Sequence, residues 1–267
     1  MNAAVLGAQS PFEGMSAERA FGVICENLSG DTASSVGELA AKVALQMVGT
    51  PYLAGMLELV PERLVVRYDV SDCMILVETC VATALALKGV RLSVNGPENA
   101  EPSWPVVLDN VRMLRYEGGE VDYFKREHYF SGWLQNAADL GVLEEYSNES
   151  GVTLDQDFSY MSTHDPARAA RLRPMEQRLS GREYWWIPAT RAASAEKIMK
   201  TGDIVCFVTD IKGLDVTHVA FVYEKDGRKC FIHASSAAGK VVVDKRTVSQ
   251  YAKYGVRLAR ICLPEAK

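Results

Sequence analysis

The sequence is too poor in cysteine, histidine and positive charge for several common kinds of function. Its six cysteines form no C-x-x-C pair and are too sparse to staple 267 residues with disulfides. Several lie in apolar runs, where free thiols are usually buried. The four histidines, His128, His164, His218 and His233, lack zinc-ligand spacing, and no paired cysteines complete a set, so neither a metal nor another cofactor is expected. A formal net charge of −5 argues against a nucleic-acid partner, which calls for a basic stripe. There is no phosphate loop, no G-x-G-x-x-G and no H-E-x-x-H. Ser194-Ala195-Glu196-Lys197 matches S-x-x-K but lacks the companion motifs that would give it meaning. The longest apolar run, Cys73 to Leu87, contains Glu78 and is too short to span a bilayer, so no membrane insertion is expected. Met1 to Ala8 has no preceding Lys or Arg and is too short for a signal core.

What remains is an ordinary globular composition, 48% hydrophobic and 24% charged, with enough length to bury a substantial core. Apolar spacing predicts helices over 16–29 and 36–48, the second ended by Gly49-Thr50-Pro51-Tyr52 because Pro51 cannot continue it. A short strand is expected over Leu64–Tyr68, then a helix over 73–88 with Val77, Val81, Ala84 and Leu85 on one face. The stretch from Val90 to Ile187 is the least regular, with a helix near 106–116 and clustered aromatics. The last third reads as strands over 203–209, 218–224, 229–233, 240–243 and 256–263, with Asp226-Gly227 as a hairpin turn. Helices first and an antiparallel meander afterwards make an α+β fold.

Asp72-Cys73 is the chemically loaded dipeptide. Asp72 is a natural N-cap, and a thiol at a helix start meets unpaired N–H groups and the positive end of the helix dipole, which favour a thiolate. On that basis iodoacetamide should favour Cys73 over the other thiols near neutral pH. His218 and His233 fall on adjacent strands of a presumed hairpin, where their side chains can approach. Cysteine, base and orienting group in this order point to a cysteine hydrolase. Each residue alone would read as core: Cys80, seven residues along the same helix, has no such activation.

Gly49-Thr50-Pro51-Tyr52, Asp72-Cys73, His218-Val219-Ala220 and His233-Ala234-Ser235 together resemble the NlpC-like superfamily of papain-related cell-wall peptidases and amidases. Tyr52 to Glu58, Cys73 to Glu78, His128-Tyr129-Phe130-Ser131, Phe158 to His164, Ile187-Pro188 and Gly213 to Val216 are similar to one branch, the N-acetylmuramoyl-L-alanine amidase-like proteins. The resemblance implies a papain-like core with the catalytic cysteine at a helix start packed on an antiparallel sheet. It implies Cys73 as nucleophile, His218 as base and His233 as the orienting third member. Tyr52 would flank the oxyanion site with the Cys73 backbone N–H, and Ser235 and His128 would meet substrate. Residues 1–35 would form an N-terminal helical extension, and 36–267 a single catalytic domain in which 90–187 is a substrate-shaping insertion. Two departures alter the cleft: Met74-Ile75-Leu76 replaces small polar residues after the cysteine, and Ala220 replaces a common glycine.

The implied substrate is peptidoglycan fragments, and the bond is the amide between N-acetylmuramic acid and L-alanine. The alternatives are the γ-D-glutamyl–diamino acid bond of the stem peptide and binding of muropeptides without cleavage. In the 90–187 segment, Tyr129, Trp133, Tyr184, Trp185 and Trp186 are candidates to stack on sugar, and Arg126, Arg168, Arg171 and Arg173 to pair with stem-peptide carboxylates. A monomer is expected. The free thiols suit a cytoplasm, whereas a signal already removed would place the protein in the bacterial envelope.

Overall fold

The computed structural model describes residues 10–263, so Met1 to Ala8, read above for a signal, lies outside them. Three helices come first: α1 (Ala17–Leu28), α2 (Val36–Gln46) and α3 (Cys73–Leu87). Ser35 and Glu38 close a reciprocal capping box on α2, and Asp72 caps α3 by accepting the Ile75 N–H at 2.9 Å. The α3 sequence lacks a polar face: Ile75 through Ala86 are all buried, so the helix runs through the interior, and the one-sided stripe read from the sequence understates it.

A small hairpin, β1 (Val90–Ser93) with β2 (Gly96–Asn99), leads to α4 (Trp104–Arg115), which begins with Pro105 in its first turn. Then follow α5 (Phe130–Asp139), β3 (Leu143–Glu145), β4 (Val152–Leu154), α6 (Tyr160–His164), α7 (Ala169–Ser180), β5 (Tyr184–Pro188) and α8 (Ala189–Ala195). The C-terminal third comprises β6 (Ile204–Val208), β7 (Val216–Lys225), β8 (Arg228–Ser235), β9 (Lys240–Val243), α9 (Val248–Tyr251) and β10 (Gly255–Ile261). The main antiparallel sheet has the order β4-β5-β10-β6-β7-β8-β9, with β3 also paired to β10. Asp226 and Gly227 both take positive φ, 53° and 72°, as a two-residue hairpin turn requires.

Residues of alternate parity on β7 feed different cores. Val219 and Phe221 join the cluster built by α1 to α4, while Ala220 and Val222 join one with Phe207, Phe231, Val248 and Leu258. Gly202 lets α2 close onto the sheet: at φ +91° its added Cβ would sit 2.1 Å from the Gly37 carbonyl carbon.

The strand expected over Leu64–Tyr68 does not form. The stretch is unpaired, with the Val65 carbonyl taken by Arg115 at 2.7 Å and the Val66 and Tyr68 side chains buried. β-Branched residues there serve burial, not a ladder. Several of the proposed sugar platforms are core as well. Trp133 is 0% exposed, Tyr129 1% and Tyr184 5%, so these three cannot stack on a ligand; Trp185 and Trp186 remain half-buried.

Candidate active site

The β7–β8 ladder ends at Phe221–Ile232, short of His218 and His233. Beyond that point β8 pairs with β9 instead, with His233 opposite Val242. The two histidines therefore stand at a divergence of strands, and the start of α3 meets them there. The backbone N–H of Val219, the residue after His218, acts on the Cys73 thiol and favours its anion. Tyr52 is fixed between the same elements: its N–H donates to the Gly239 carbonyl at 2.9 Å, and it bridges to Ser71, just ahead of Asp72-Cys73. Its phenol is pushed up by burial and by the neighbouring Cys73 and Asp72. Ser235 lies two residues beyond His233, on the same strand face, and its hydroxyl accepts the Ala238 N–H at 3.1 Å in the turn that ends at Gly239. Five of the six site residues expected from the sequence are thus brought together.

His128 is not. Its Nε2 lies 2.6 Å from the Tyr123 carbonyl and its ring 4.5 Å from the Tyr123 ring, and none of its contacts is with Cys73, His218 or His233. Arg126, a candidate partner for substrate carboxylates, is buried and spent on Leu57, Glu58 and Glu62. Arg168 pairs with Asp165 and lies over Tyr123, and Arg171 lies over Phe124.

His218 Nε2 and His233 Nδ1 are 2.6 Å apart, a hydrogen bond between two rings. His233 Nε2 is buried and faces Asp244 Oδ2 at 3.3 Å, an electrostatic contact outside good hydrogen-bond geometry. It has no other partner among the described residues. Asp244 is held in turn by Arg246, whose backbone N–H and Nε donate to Oδ1 at 2.8 and 3.0 Å and whose Nη2 donates to Oδ2 at 2.7 Å. Tyr251 covers the pair, its ring 5.9 Å from each histidine and 4.5 Å beneath the Arg246 guanidinium. Neither Asp244 nor Tyr251 was legible as a site residue. Both follow β9 in a polar stretch, and only the fold shows that β9 runs beside His233.

The electrostatics favour neutral partners. Burial pushes the Cys73 thiol up to about 12, aided by Asp72, and outweighs the N–H groups of Val219, Cys73 and Met74. The helix start therefore opposes the rise without reversing it, contrary to the thiolate expected from position alone. Burial also drives His218 down to about 3, with His233 adding to it and Asp244 opposing. His233 falls to about 4 for the same first reason, again opposed by Asp244. A neutral thiol served by a neutral imidazole can form a reactive anion only by passing its proton as it attacks.

Among the described residues no group of three or more His, Cys, Asp or Glu side chains is placed to hold a metal ion. Cavities of about 360 and 530 Å³ open elsewhere, the first lined by residues including Glu145, Arg182 and Trp185 and the second by residues including Asn95, Met113 and Asn136. Neither shares a residue with this constellation.

A sequence-family model described as N-acetylmuramoyl-L-alanine amidase-like matches residues 42–255. The chain belongs to this amidase-like family. A crystal structure of an N-acetylmuramoyl-L-alanine amidase from Bacteroides uniformis is similar with a TM-score of 0.76 and 30% identity, covering 85% of this chain and 99% of that one. A Bacteroides fragilis protein, provisionally described as a xylanase, is similar with a TM-score of 0.72 and 32% identity over 82% of this chain and 99% of its own. A Legionella pneumophila protein shares the fold, with a TM-score of 0.64 at 16% identity over 93% of this chain and 96% of that one. No curated protein sequence matches the chain. Among the described residues no helix is long and apolar enough to cross a membrane.

Proposed function

We propose that this amidase-like protein is a cysteine hydrolase with a papain-like core that cleaves the amide joining N-acetylmuramic acid to L-alanine in muropeptides. The observation that carries the reading is the convergence of Cys73, Tyr52 and the His218–His233 pair in a chain of this family. With His218 Nε2 engaged by His233, its Nδ1 is the nitrogen left to act on the thiol. As the Cys73 sulfur bonds to the lactyl carbonyl carbon, the thiol proton passes to His218. The oxyanion is met by the Cys73 backbone N–H and the Tyr52 hydroxyl. Collapse breaks the C–N bond, and His218 returns the proton to the L-alanine nitrogen. Water then attacks the thioester and gives a proton to His218. The C–S bond breaks, His218 returns that proton to the sulfur, and the acid left on the sugar ionises to a carboxylate by losing its proton to solvent.

The 90–187 segment walls one end of the cleft in this reading, with Ser235 near the acyl side. The Bacteroides uniformis neighbour, by its description, points to the same bond. Digestion of defined muropeptides with mass-spectrometric identification of the products tests the assignment. Release of an intact peptide beginning with L-alanine, abolished in Cys73→Ala, is the expected result. Release of a diamino-acid peptide that leaves L-alanine–D-glutamate on the sugar would reassign the enzyme to the stem-peptide bond. Binding without any mass change would leave a muropeptide-binding protein.

A further inference from the structure

The catalytic pair does not end at His233. We infer that Asp244, clamped by Arg246, is a positioning residue that sets the proton on His233 and, through it, on His218. The inference rests on the cysteine-hydrolase reading for its catalytic consequence and on geometry alone for its structural one.

The argument follows the protons. Asp244 Oδ2 is the group that faces His233 Nε2, at 3.3 Å, and a carboxylate with no proton to offer favours an N–H over a lone pair on that nitrogen. The proton of neutral His233 therefore sits on Nε2. Its Nδ1 then carries a lone pair, which must accept from His218 Nε2 across the 2.6 Å contact. With its proton on Nε2, His218 is left with a basic Nδ1, the form a general base needs. One fixed acceptor at the end of the chain thus determines the tautomer of a ring it never touches. Asp244 is itself anchored by its backbone N–H, which donates to the Phe231 carbonyl at 2.9 Å, two residues before His233.

The clamp makes an isosteric variant the more damaging one. Asp244 Oδ1 receives two N–H groups from Arg246, whereas Oδ2 receives one. In Asp244→Asn the carbonyl oxygen is expected to keep the two-donor side, which turns the amide NH₂ toward His233. His233 Nε2 must then accept, its proton moves to Nδ1, and His218 is forced to carry its proton on Nδ1 facing the thiol. A base in the wrong tautomer costs roughly 10³- to 10⁴-fold in kcat. Asp244→Ala removes the acceptor without imposing the wrong tautomer, and its loss should be roughly tenfold to a hundredfold.

The test compares kcat and KM for wild type, Asp244→Asn and Asp244→Ala on a defined muropeptide, with the ring-nitrogen NMR shifts of the four histidines recorded for each. The expected order is Asn below Ala below wild type in kcat with KM little changed, together with a switch of the His218 proton from Nε2 to Nδ1 in the Asn variant only. A purely structural Asp244 would give the opposite order, Ala worse than Asn, and would overturn the inference, as would an unchanged His218 tautomer in the Asn variant. If the wild type cleaves no muropeptide, the amidase reading fails, and the nitrogen shifts still decide the role of Asp244.

Discussion

Arg115 and Glu78 lie 2.8 Å apart with each side chain 1% exposed, and they join α4 to the helix that begins at Cys73. Arg115 also donates to the Val65 carbonyl at 2.7 Å, so one guanidinium fastens three segments around the site. Removing a single partner of such a pair leaves an uncompensated buried charge, which typically costs about 3–5 kcal/mol. Glu78→Ala is therefore expected to lower the urea midpoint sharply while the denaturant slope stays the same. A loss below about 1 kcal/mol would show that the pair contributes little beyond its own desolvation.

Glu127 predicts a pH effect of definite sign. Its side chain is buried against Gly132, its Oε2 has no partner among the described residues, and Arg178 approaches Oε1 only to 3.8 Å. Burial raises its carboxyl to about 7, with Glu117 and Asp139 adding to the rise and Arg178 and Arg182 opposing it. The native state then holds a proton that the unfolded chain has released, so stability is present below pH 4.5 and drains away as pH rises to about 7. Glu127→Gln, which stays neutral, should match wild type at pH 4.5 and exceed it at pH 8, by up to about 3 kcal/mol. Thermal melts at the two pH values check this, and equal differences at both would refute it.

The parts of this molecule that announce themselves in the sequence are those whose cause is local. Asp72 caps α3, Asp226-Gly227 turns the hairpin, and Pro51 ends the region after α2, all through neighbours within a few residues. Cys73, His218 and His233 were legible because a helix start and two strand positions define where their side chains go. The 90–187 segment was not, since β3, β4 and β5 are short and owe their existence to partners far away in the chain. Leu64–Tyr68 has strand composition, yet it pairs with no strand, and its Val65 carbonyl bonds to Arg115 instead. The aromatics failed differently: composition cannot tell Trp133, sealed in the core and stacked 4.9 Å from Phe130, from a platform waiting for sugar. Asp244 and Arg246 are an ordinary pair of surface charges until the fold lays one of them against His233.

The resting state of the thiol can be read by alkylation. Because burial and Asp72 hold Cys73 up at about 12, little thiolate exists at pH 7 without substrate. Iodoacetamide should therefore modify Cys25 and Cys262 before Cys73 at neutral pH, although all three are half-buried. The Cys73 rate should climb roughly tenfold per pH unit from pH 7 to 10. This reverses the labelling preference expected from the helix start alone. Peptide mapping after timed alkylation measures it, and a fast plateau for Cys73 between pH 5 and 8 would mean that a thiolate–imidazolium pair is already formed.

Two tyrosines stand near Cys73, and their hydroxyls should differ in worth. Tyr52 is locked by a backbone bond to Gly239 and by its bridge to Ser71, so its phenol is carried on a rigid frame next to Cys73. If it donates to the oxyanion, Tyr52→Phe should lose about 10²- to 10³-fold in kcat, the usual cost of one such donor, with no change in melting temperature. Tyr251 contributes a ring instead. It packs 4.5 Å from Phe207 and 5.0 Å from Phe231 while flanking both histidines. Tyr251→Phe keeps that packing and should keep most of the activity, whereas Tyr251→Ala strips a half-buried ring from beside His218 and should cost about 1–3 kcal/mol of stability as well as rate. Steady-state kinetics and melts on the three variants separate the roles. Full activity in Tyr52→Phe would remove Tyr52 from the oxyanion site and leave the Cys73 backbone N–H as the remaining named donor.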